Sequence, residues 1–191
     1  MLDLLPVSVA SLDALPSIFA NGSRNRIHKL VLEVDEMYRV RDSAGELVES
    51  FGRLDQPSRI RYYVDNPDDF ESNMDAVLPY VTVLLNCIVW SNRYPRTITR
   101  DLMEAVWRTG TPLKAIGDIT CDPNGSIEFS KETWIDDPVF TYDPTLQRDL
   151  PGIQPEGIAV MAVTNLPCEF SRDASIRFSH EIERFLPELI H

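Results

Sequence analysis

The run YVTVLLNCIVW, from Tyr80 to Trp90, decides how this chain is read. It is apolar and rich in β-branched residues, and its hydrophobic positions do not alternate. A strand with one wet face alternates, whereas a strand covered on both faces need not, so the run predicts a strand of a parallel sheet. SNRYPR breaks it. TRDLMEAVWRTG follows, with Thr99 placed to cap a helix and Gly110 to end it. LKAIGDIT reads as the next strand and GIAVMAVTN, Gly157 to Asn165, as another. Strands alternating with helices in this way predict an α/β protein: a parallel, Rossmann-like sheet with flanking helices.

The flanks are less regular. Residues 4 to 10 and 11 to 20 read as a short strand and a short helix, with Ser11 as the helix cap. IHKLVLEVDEMYRV, from Ile27, fits the strand and helix periods in part and stays open between them. Asp42 to Pro57 reads as a turn and an irregular connection. NPDDFESNMDAVLPY predicts a helix start, because Pro67 suits a first turn and Asp68, Asp69 and Glu71 favour the positive end of the helix dipole. The last helix is expected from about Ser171 to Leu189. Ala174, Phe178, Ile182, Phe185 and Leu189 recur every three or four residues and draw one apolar stripe along it. The organisation expected is a partial nucleotide-binding α/β domain over 1–123, an irregular excursion over 124–156, and a final strand and helix over 157–191 that pack back on the domain. The excursion is too long for an ordinary connection, and such segments usually carry function or pack on a neighbour.

Composition narrows the functions open to the chain. Its 191 residues suit one domain or slightly more, and 43% hydrophobic with 25% charged residues is the profile of a globular protein. A formal net charge of -12 argues against nucleic acid or an anionic membrane as partner. Cys87, Cys121 and Cys168 form no CxxC motif and read as small buried residues in a reducing compartment. His28, His180 and His191 share no ligand spacing, so no metal site is expected. No apolar segment reaches the ~18 residues of a membrane span. The apolar but acidic MLDLLPVSVASLDALPS lacks the basic start of a signal peptide and the arginine of a transit peptide, so a cytoplasmic location is expected.

Three strands end in unusual chemistry, at NCIVWSNRYP, DITCDPNG and VTNLPCEF. In a parallel sheet these ends lie on one edge, where ligands bind. A carboxylate there accepts hydrogen bonds from a ribose hydroxyl or orients a reacting group, and an Asn side chain both donates and accepts, which suits a carboxamide. Plainer readings stand beside these. Asp122 before Pro-Asn-Gly is equally a turn residue capping its own backbone. Asp118, deeper in the strand, is equally the anchor of a neighbouring loop, and Asn165 an Asx turn leading into the helix. Glu128 and Glu169 read as solvated surface, and Trp90, Trp107 and Trp134 as packing. The phosphate cradle of a dinucleotide site is missing, because the eight glycines never fall as G-x-G-x-x-G and no P-loop lysine exists.

The segments LLNCIVWSNRYPRTITRDLM, LKAIGDITCDPNGSIEFSKETWIDDPVFTYDP and GIAVMAVTNLPCEFSRDASIRFSHEIERFLPELI resemble the lysine–ketoglutarate reductase and saccharopine dehydrogenase group, which is related to alanine dehydrogenase and the transhydrogenase nucleotide domain. The resemblance runs from about Leu4 to the end of the chain and is densest from Tyr80. It implies the C-terminal half of the reductase region, without the first Gly-rich strand–helix unit. Enzymes of this group are oxidoreductases that move a hydride between NADP or NAD and the secondary amine of saccharopine. By this resemblance Asp122 is the catalytic acid beside the nicotinamide. Ile119, Thr120, Cys121 and Asp122 line the cofactor, as do Val163, Thr164, Asn165 and Leu166, and the backbone of Ile88 and Val89 passes its ribose. The implied small-molecule partner is saccharopine, or lysine with 2-oxoglutarate. The N-terminal half or further copies of the chain are implied as protein partners. The alternatives are the lysine-forming saccharopine dehydrogenase and a non-catalytic binding or interaction module derived from the group. Family members also carry an N-terminal catalytic domain with basic residues, so this chain alone is expected to be inactive.

Overall fold

The computed structural model describes residues 6–23, 25–41, 51 and 53–189. The first unit is β1 (Val7–Ala10), α1 (Leu15–Asn21) and β2 (Ile27–Leu30), with β1 and β2 paired in parallel. Ser11 sits at the N-cap position of a 3-10 turn over Leu12–Ala14, but its side chain makes no capping bond. The ambiguous stretch from Ile27 holds both periods in sequence: β2, then a single helical turn α2 (Val34–Met37), then β3 (Tyr38–Val40).

The helix expected to start at Pro67 lies earlier, as α3 (Gln56–Asp65). Its start signal is Asp55, whose carboxylate accepts from the Ser58 N–H at 3.1 Å, with Pro57 in the first turn. The Asp42–Pro57 connection lies in part outside the described residues, at 42–50 and 52. After Pro67 the chain makes a 3-10 turn and then β4 (Phe70–Ser72), antiparallel to β3. Burial overrides the charge pattern here. Phe70, Met74, Val77 and Leu78 are all within 1% of full burial, a spacing that a strand and a tight turn satisfy together. Tyr63 stacks between Tyr38 and Tyr94 at 5.0 and 5.3 Å, and Phe51 and Phe70 close a small aromatic cluster.

The main sheet holds β5 (Val83–Asn86), β6 (Ala115–Asp118), β7 (Val139–Asp143), β8 (Arg148–Pro151) and β9 (Ile158–Met161), in the order β5-β6-β9-β7-β8. Between β5 and β6 runs α4 (Arg100–Thr109), with the expected ends: the Thr99 hydroxyl accepts from the Leu102 N–H at 3.1 Å, and Gly110 takes φ +96°. Its Met103 and Val106 join Ile116, Phe140, Tyr142, Ile158 and Val160 in one buried cluster. β5, β6 and β9 are parallel in register, Leu84 beside Ile116 and Ile116 beside Val160.

Three features correct the sequence reading. The sheet is mixed, not parallel, because β7 pairs antiparallel with both β9 and β8. The segment 124–156, expected to be irregular, carries that β7–β8 hairpin. Phe140 and Tyr142 are the inward positions of an alternating VFTYD strand, and an antiparallel partner needs no helical crossover. Finally, the strand expected over Tyr80–Trp90 is confined to Val83–Asn86 and lies at the sheet edge. Val83 and Leu85 are more than half exposed and Val89 is fully so, which leaves one face of β5 uncovered. The last helix is divided into α5 (Ser171–Glu183) and α6 (Leu186–Leu189). Among the described residues no helix is long and apolar enough to cross a membrane.

Gly157, which feeds β9, holds φ +103°, and a Cβ there would lie 2.7 Å from the Tyr142 carbonyl oxygen and 2.6 Å from Thr141 Cγ2. Gly157→Ala is therefore expected to cost about 2–4 kcal/mol in urea denaturation. Gly152→Ala, at φ +62° in open space, should cost about 1 kcal/mol.

Candidate functional site

The parallel strands deliver Asn86, Asp118 and Ala162 to one edge of the sheet, and the loops beyond them are stitched together in sheet order. The Asn86 carbonyl accepts from the Ile119 and Thr120 N–H groups at 2.9 and 3.3 Å, and the Thr120 hydroxyl donates to the Ile88 carbonyl at 2.6 Å. The next seam joins the Cys121 thiol to the Ala162 carbonyl at 2.6 Å. Thr133 then borders Ala162, its N–H donating at 2.9 Å and its hydroxyl accepting the Ala162 N–H at 3.1 Å.

Asp118 holds the centre. It is 1% exposed and has no ion-pair partner among the described residues. Its oxygens accept instead from Asn86 Nδ2 at 2.8 Å, from the Cys121 N–H at 3.3 Å, and from the Ser130 hydroxyl. Asn86 Nδ2 also reaches Ser126 Oγ at 2.9 Å. Burying a carboxylate without a cation costs several kcal/mol unless its lone pairs are satisfied, and this network satisfies them. Asp118 thus ties the edge of β5, the end of β6 and both ends of the loop Ile119–Ser130 to one point. Of the two readings open at Asp118, the anchor of a neighbouring loop is the one the structure takes.

The loop so held is contorted. Cys121 and Asn124 take φ +55° and +51°, uncommon for residues with a Cβ, and Gly125 fits only because a Cβ there would meet Asp122 at 2.4 Å. Arg96, stacked over Trp90 at 5.2 Å, donates to the Asn124 and Gly125 carbonyls and braces the turn. Burial, together with nearby Asp118, pushes the Cys121 thiol above its ordinary pKa. Asp122 does not cap its turn through its side chain. The turn closes by backbone, Gly125 N–H to Asp122 carbonyl at 2.8 Å, and the Asp122 carboxylate makes no hydrogen bond among the described residues.

The remaining site residues fall on the same rim. Ile88 is half-buried, Val89 and Ile119 are exposed, and Val163 is buried in a bridge with Thr133. Thr164 and Asn165 are exposed, and Leu166 opens a 3-10 turn. Among the described residues the Asn165 side chain forms no Asx bond, and its carbonyl accepts from the Cys168 N–H at 3.1 Å. Cys87 and Cys168 are exposed rather than buried. Glu128 is no solvated surface group: its carboxylate accepts the Arg100 N–H at 2.8 Å and caps α4. Trp134 is 63% exposed and packs little. Sequence reasoning missed Asn86, Ser126 and Ser130. The available signal was Asn86 itself, an amide inside an apolar strand that must find partners when buried.

Two cavities of about 310 and 380 Å3 are lined, one by Lys131, Thr133, Trp134 and Phe140, the other by Arg39, Arg41, Arg96 and Thr99. Among the described residues no group of three or more His, Cys, Asp or Glu is placed to hold a metal.

Asp118→Ala strands the Asn86 and Ser130 donors and is expected to cost about 2–4 kcal/mol by chemical denaturation, whereas Asp122→Ala should stay within about 0.5 kcal/mol. A thiol held above its ordinary pKa in the folded state reacts more slowly at a given pH. At pH 8 iodoacetamide should therefore modify Cys87 and Cys168 well before Cys121, and unfolding should erase the difference; equal rates in the folded protein would contradict the geometry at Cys121.

No family model matches the chain. Comparison with curated proteins finds alpha-aminoadipic semialdehyde synthase of Arabidopsis thaliana, 31% identical over 198 residues that cover 97% of this chain and 18% of that protein. The mitochondrial alpha-aminoadipic semialdehyde synthase of Bos taurus is 25% identical over 203 residues, covering 97% of this chain and 20% of its own length. That of Mus musculus is 28% identical over 144 residues, covering 67% and 16%. The chain spans about a fifth of the length of the curated relatives it matches. Across nearly its whole length, it is a distant homologue of alpha-aminoadipic semialdehyde synthase.

Proposed function

We propose that this chain is the nicotinamide-side part of a Rossmann-like oxidoreductase domain of lysine metabolism, of the saccharopine-forming lysine–ketoglutarate reductase kind. The observation that carries the reading is the rim. Three parallel strands end side by side, a buried network fixes the loop between them, and Asp122 and Asn165 stand on that rim with side chains bound to nothing among the described residues. Residues 1–123 then form a partial nucleotide-binding unit. The hairpin-bearing segment 124–156 extends the sheet, and 157–191 supply the last strand and helices.

The residues present fit one end of NADP or NAD and not the other. A free carboxylate and a free amide suit a nicotinamide ribose and carboxamide. A pyrophosphate needs a glycine-rich turn, and the turn from β1 into α1, Ser11 to Ala14, contains no glycine. The cofactor, when bound, supplies the hydride chemistry. The chain's part is to position: Ile119 and Thr120 are fixed to β5, Cys121 to β9, and Asp122 presents negative charge at the edge. Saccharopine, or lysine with 2-oxoglutarate, is the corresponding substrate.

The 191-residue chain alone is expected to give no saccharopine-dependent change in NAD(P)H absorbance, and a polypeptide carrying the Gly-rich half, added in trans, should restore one. In that reconstituted enzyme Asp122→Asn should lower turnover roughly tenfold to thousandfold without lowering the melting temperature. Asp137→Asn, at an exposed position of the 124–156 segment, should change it little. Robust turnover by the chain alone, or equal effects at the two aspartates, would contradict the reading.

A further inference from the structure

The hairpin of β3 and β4 sorts its side chains by face. Tyr38 and Val40 are buried in the aromatic cluster, so Arg39 and Arg41, out of phase with them, stand exposed on the other side. The Arg41 N–H continues the ladder to the Asp69 carbonyl at 2.8 Å and so keeps Arg41 in that phase. Arg96 arrives on the segment that leads into α4. That segment is fastened to the hairpin one residue later, where Thr97 Oγ1 meets the Tyr38 hydroxyl at 2.7 Å and the Ser72 hydroxyl donates to the Thr97 carbonyl. The three arginines line one cavity of about 380 Å3, within the roughly 300–1,000 Å3 range of small-molecule sites. In a chain of net charge -12, such a grouping of cations runs against the composition.

Each guanidinium is held from one side and has donors to spare on the other. Arg39 gives Nε to Glu71 and Nη1 to Asp75, both at 2.9 Å. Arg41 gives Nε to the Phe70 carbonyl at 3.0 Å. Arg96 gives Nη1 to the Asn124 and Gly125 carbonyls while it stacks over Trp90. Among the described residues, Nη2 of Arg39, both Nη atoms of Arg41, and Nε and Nη2 of Arg96 make no hydrogen bond. The two carboxylates of the cavity, Glu71 and Asp75, are spent on Arg39, and neither Arg41 nor Arg96 has an ion-pair partner among the described residues. Fixing an arginine before a ligand arrives removes much of the side-chain entropy that binding would otherwise cost. The nearby start of α4 is already in use, because its Arg100 and Leu102 N–H groups are taken by Glu128 and Thr99.

We propose that this cavity binds the carboxylate of a small organic acid. The arginine fork matches a planar carboxylate with paired N–H donors. Three arginines and two carboxylates line the cavity, so one negative charge balances it. A phosphate, at about -1.5 to -2 near neutral pH, is a poorer match inside so acidic a protein. Pro95 and Leu102 offer an apolar wall to a short carbon body. Asp122 and Asn165 take no part in the lining, so the site stands apart from the cofactor reading. It is joined to the rim through Arg96, which also holds the turn at Asn124 and Gly125.

Titration of the 191-residue chain with propionate, followed by two-dimensional amide NMR, tests this without any cofactor. The backbone amides of Arg41, Ser72 and Thr99 should shift saturably with a Kd of about 1 mM, and the Gly125 amide should follow through Arg96. Propionamide, which has the same shape without the charge, should produce no shift, and inorganic phosphate should bind more weakly than propionate. Arg41→Ala should weaken binding at least about tenfold. Arg41→Lys, which keeps the charge and loses the fork, should recover only part of it. Arg41 is exposed, so circular dichroism of both variants should be unchanged. Arg148→Ala, at an exposed position of β8, should leave the affinity as it was. Shifts that never saturate, an equal response to propionamide, or tighter binding of phosphate would overturn the proposal. So would binding that survives Arg41→Ala, full recovery with lysine, or an equal loss in Arg148→Ala.

Discussion

A buried carboxyl group with no ion-pair partner among the described residues is the constraint on which the candidate site edge depends. Asp118 ends β6 at 1% exposure, and every group that satisfies it comes from a different part of the rim: Asn86 from β5, Cys121 from the start of the loop, Ser130 from its end. Removing any donor leaves a low-dielectric acceptor short of a partner, so the three segments are held together or not at all. The same network explains the contortion next to it. A loop pinned at both ends over so short a span takes left-handed backbone at Cys121 and Asn124, and that geometry leaves the Asp122 side chain outside the turn's own hydrogen bonds.

The existence and order of the parallel strands were legible in the chain because their signals are local. A β-branched run, an apolar run closed by an acid, and a helix bracketed by Thr99 and Gly110 each specify themselves. Less legible were features set by tertiary burial. Phe70, Met74 and Leu78 lie in a stretch that reads as a helix started by Pro67, yet Phe70 folds as a strand against β3 and its aromatic cluster, while Met74 and Leu78 join the main core. The hairpin at Val139–Pro151 was hidden by flanking Asp and Pro residues, although Phe140 and Tyr142 alternate as a half-buried strand should. At the site, each of Asp118 and Asp122 had two readings open in the sequence. Four residues separate a carboxylate fully spent on structure from one left free, and only the partners of each distinguish them.

The mixed sheet follows from the same economy of cover. β7 and β8 extend the parallel trio beyond β9 and supply Phe140 and Tyr142 to the core, with Tyr142 stacked on Phe129 at 3.9 Å. At the other border β5 has one exposed face, and the strand stops at Asn86, where the backbone turns to serve the network. The chain thus has a buried middle, formed by β6, β9 and α4, between the candidate rim at the strand ends and the edge strand β5, where Val83 and Leu85 are exposed. Distant homology to alpha-aminoadipic semialdehyde synthase runs over nearly all of the chain, which spans about a fifth of the length of those relatives.

The most direct test of the rim is saturation-transfer NMR with the two halves of the cofactor offered separately. With nicotinamide mononucleotide, the account predicts saturation of the nicotinamide ring protons by the folded 191-residue chain and its loss in Asp122→Asn. With adenosine monophosphate it predicts none, because no glycine-rich cradle is present in the sequence. Saturation of the adenine protons alone, or nicotinamide contact that survives at Asp122→Asn undiminished, would contradict it.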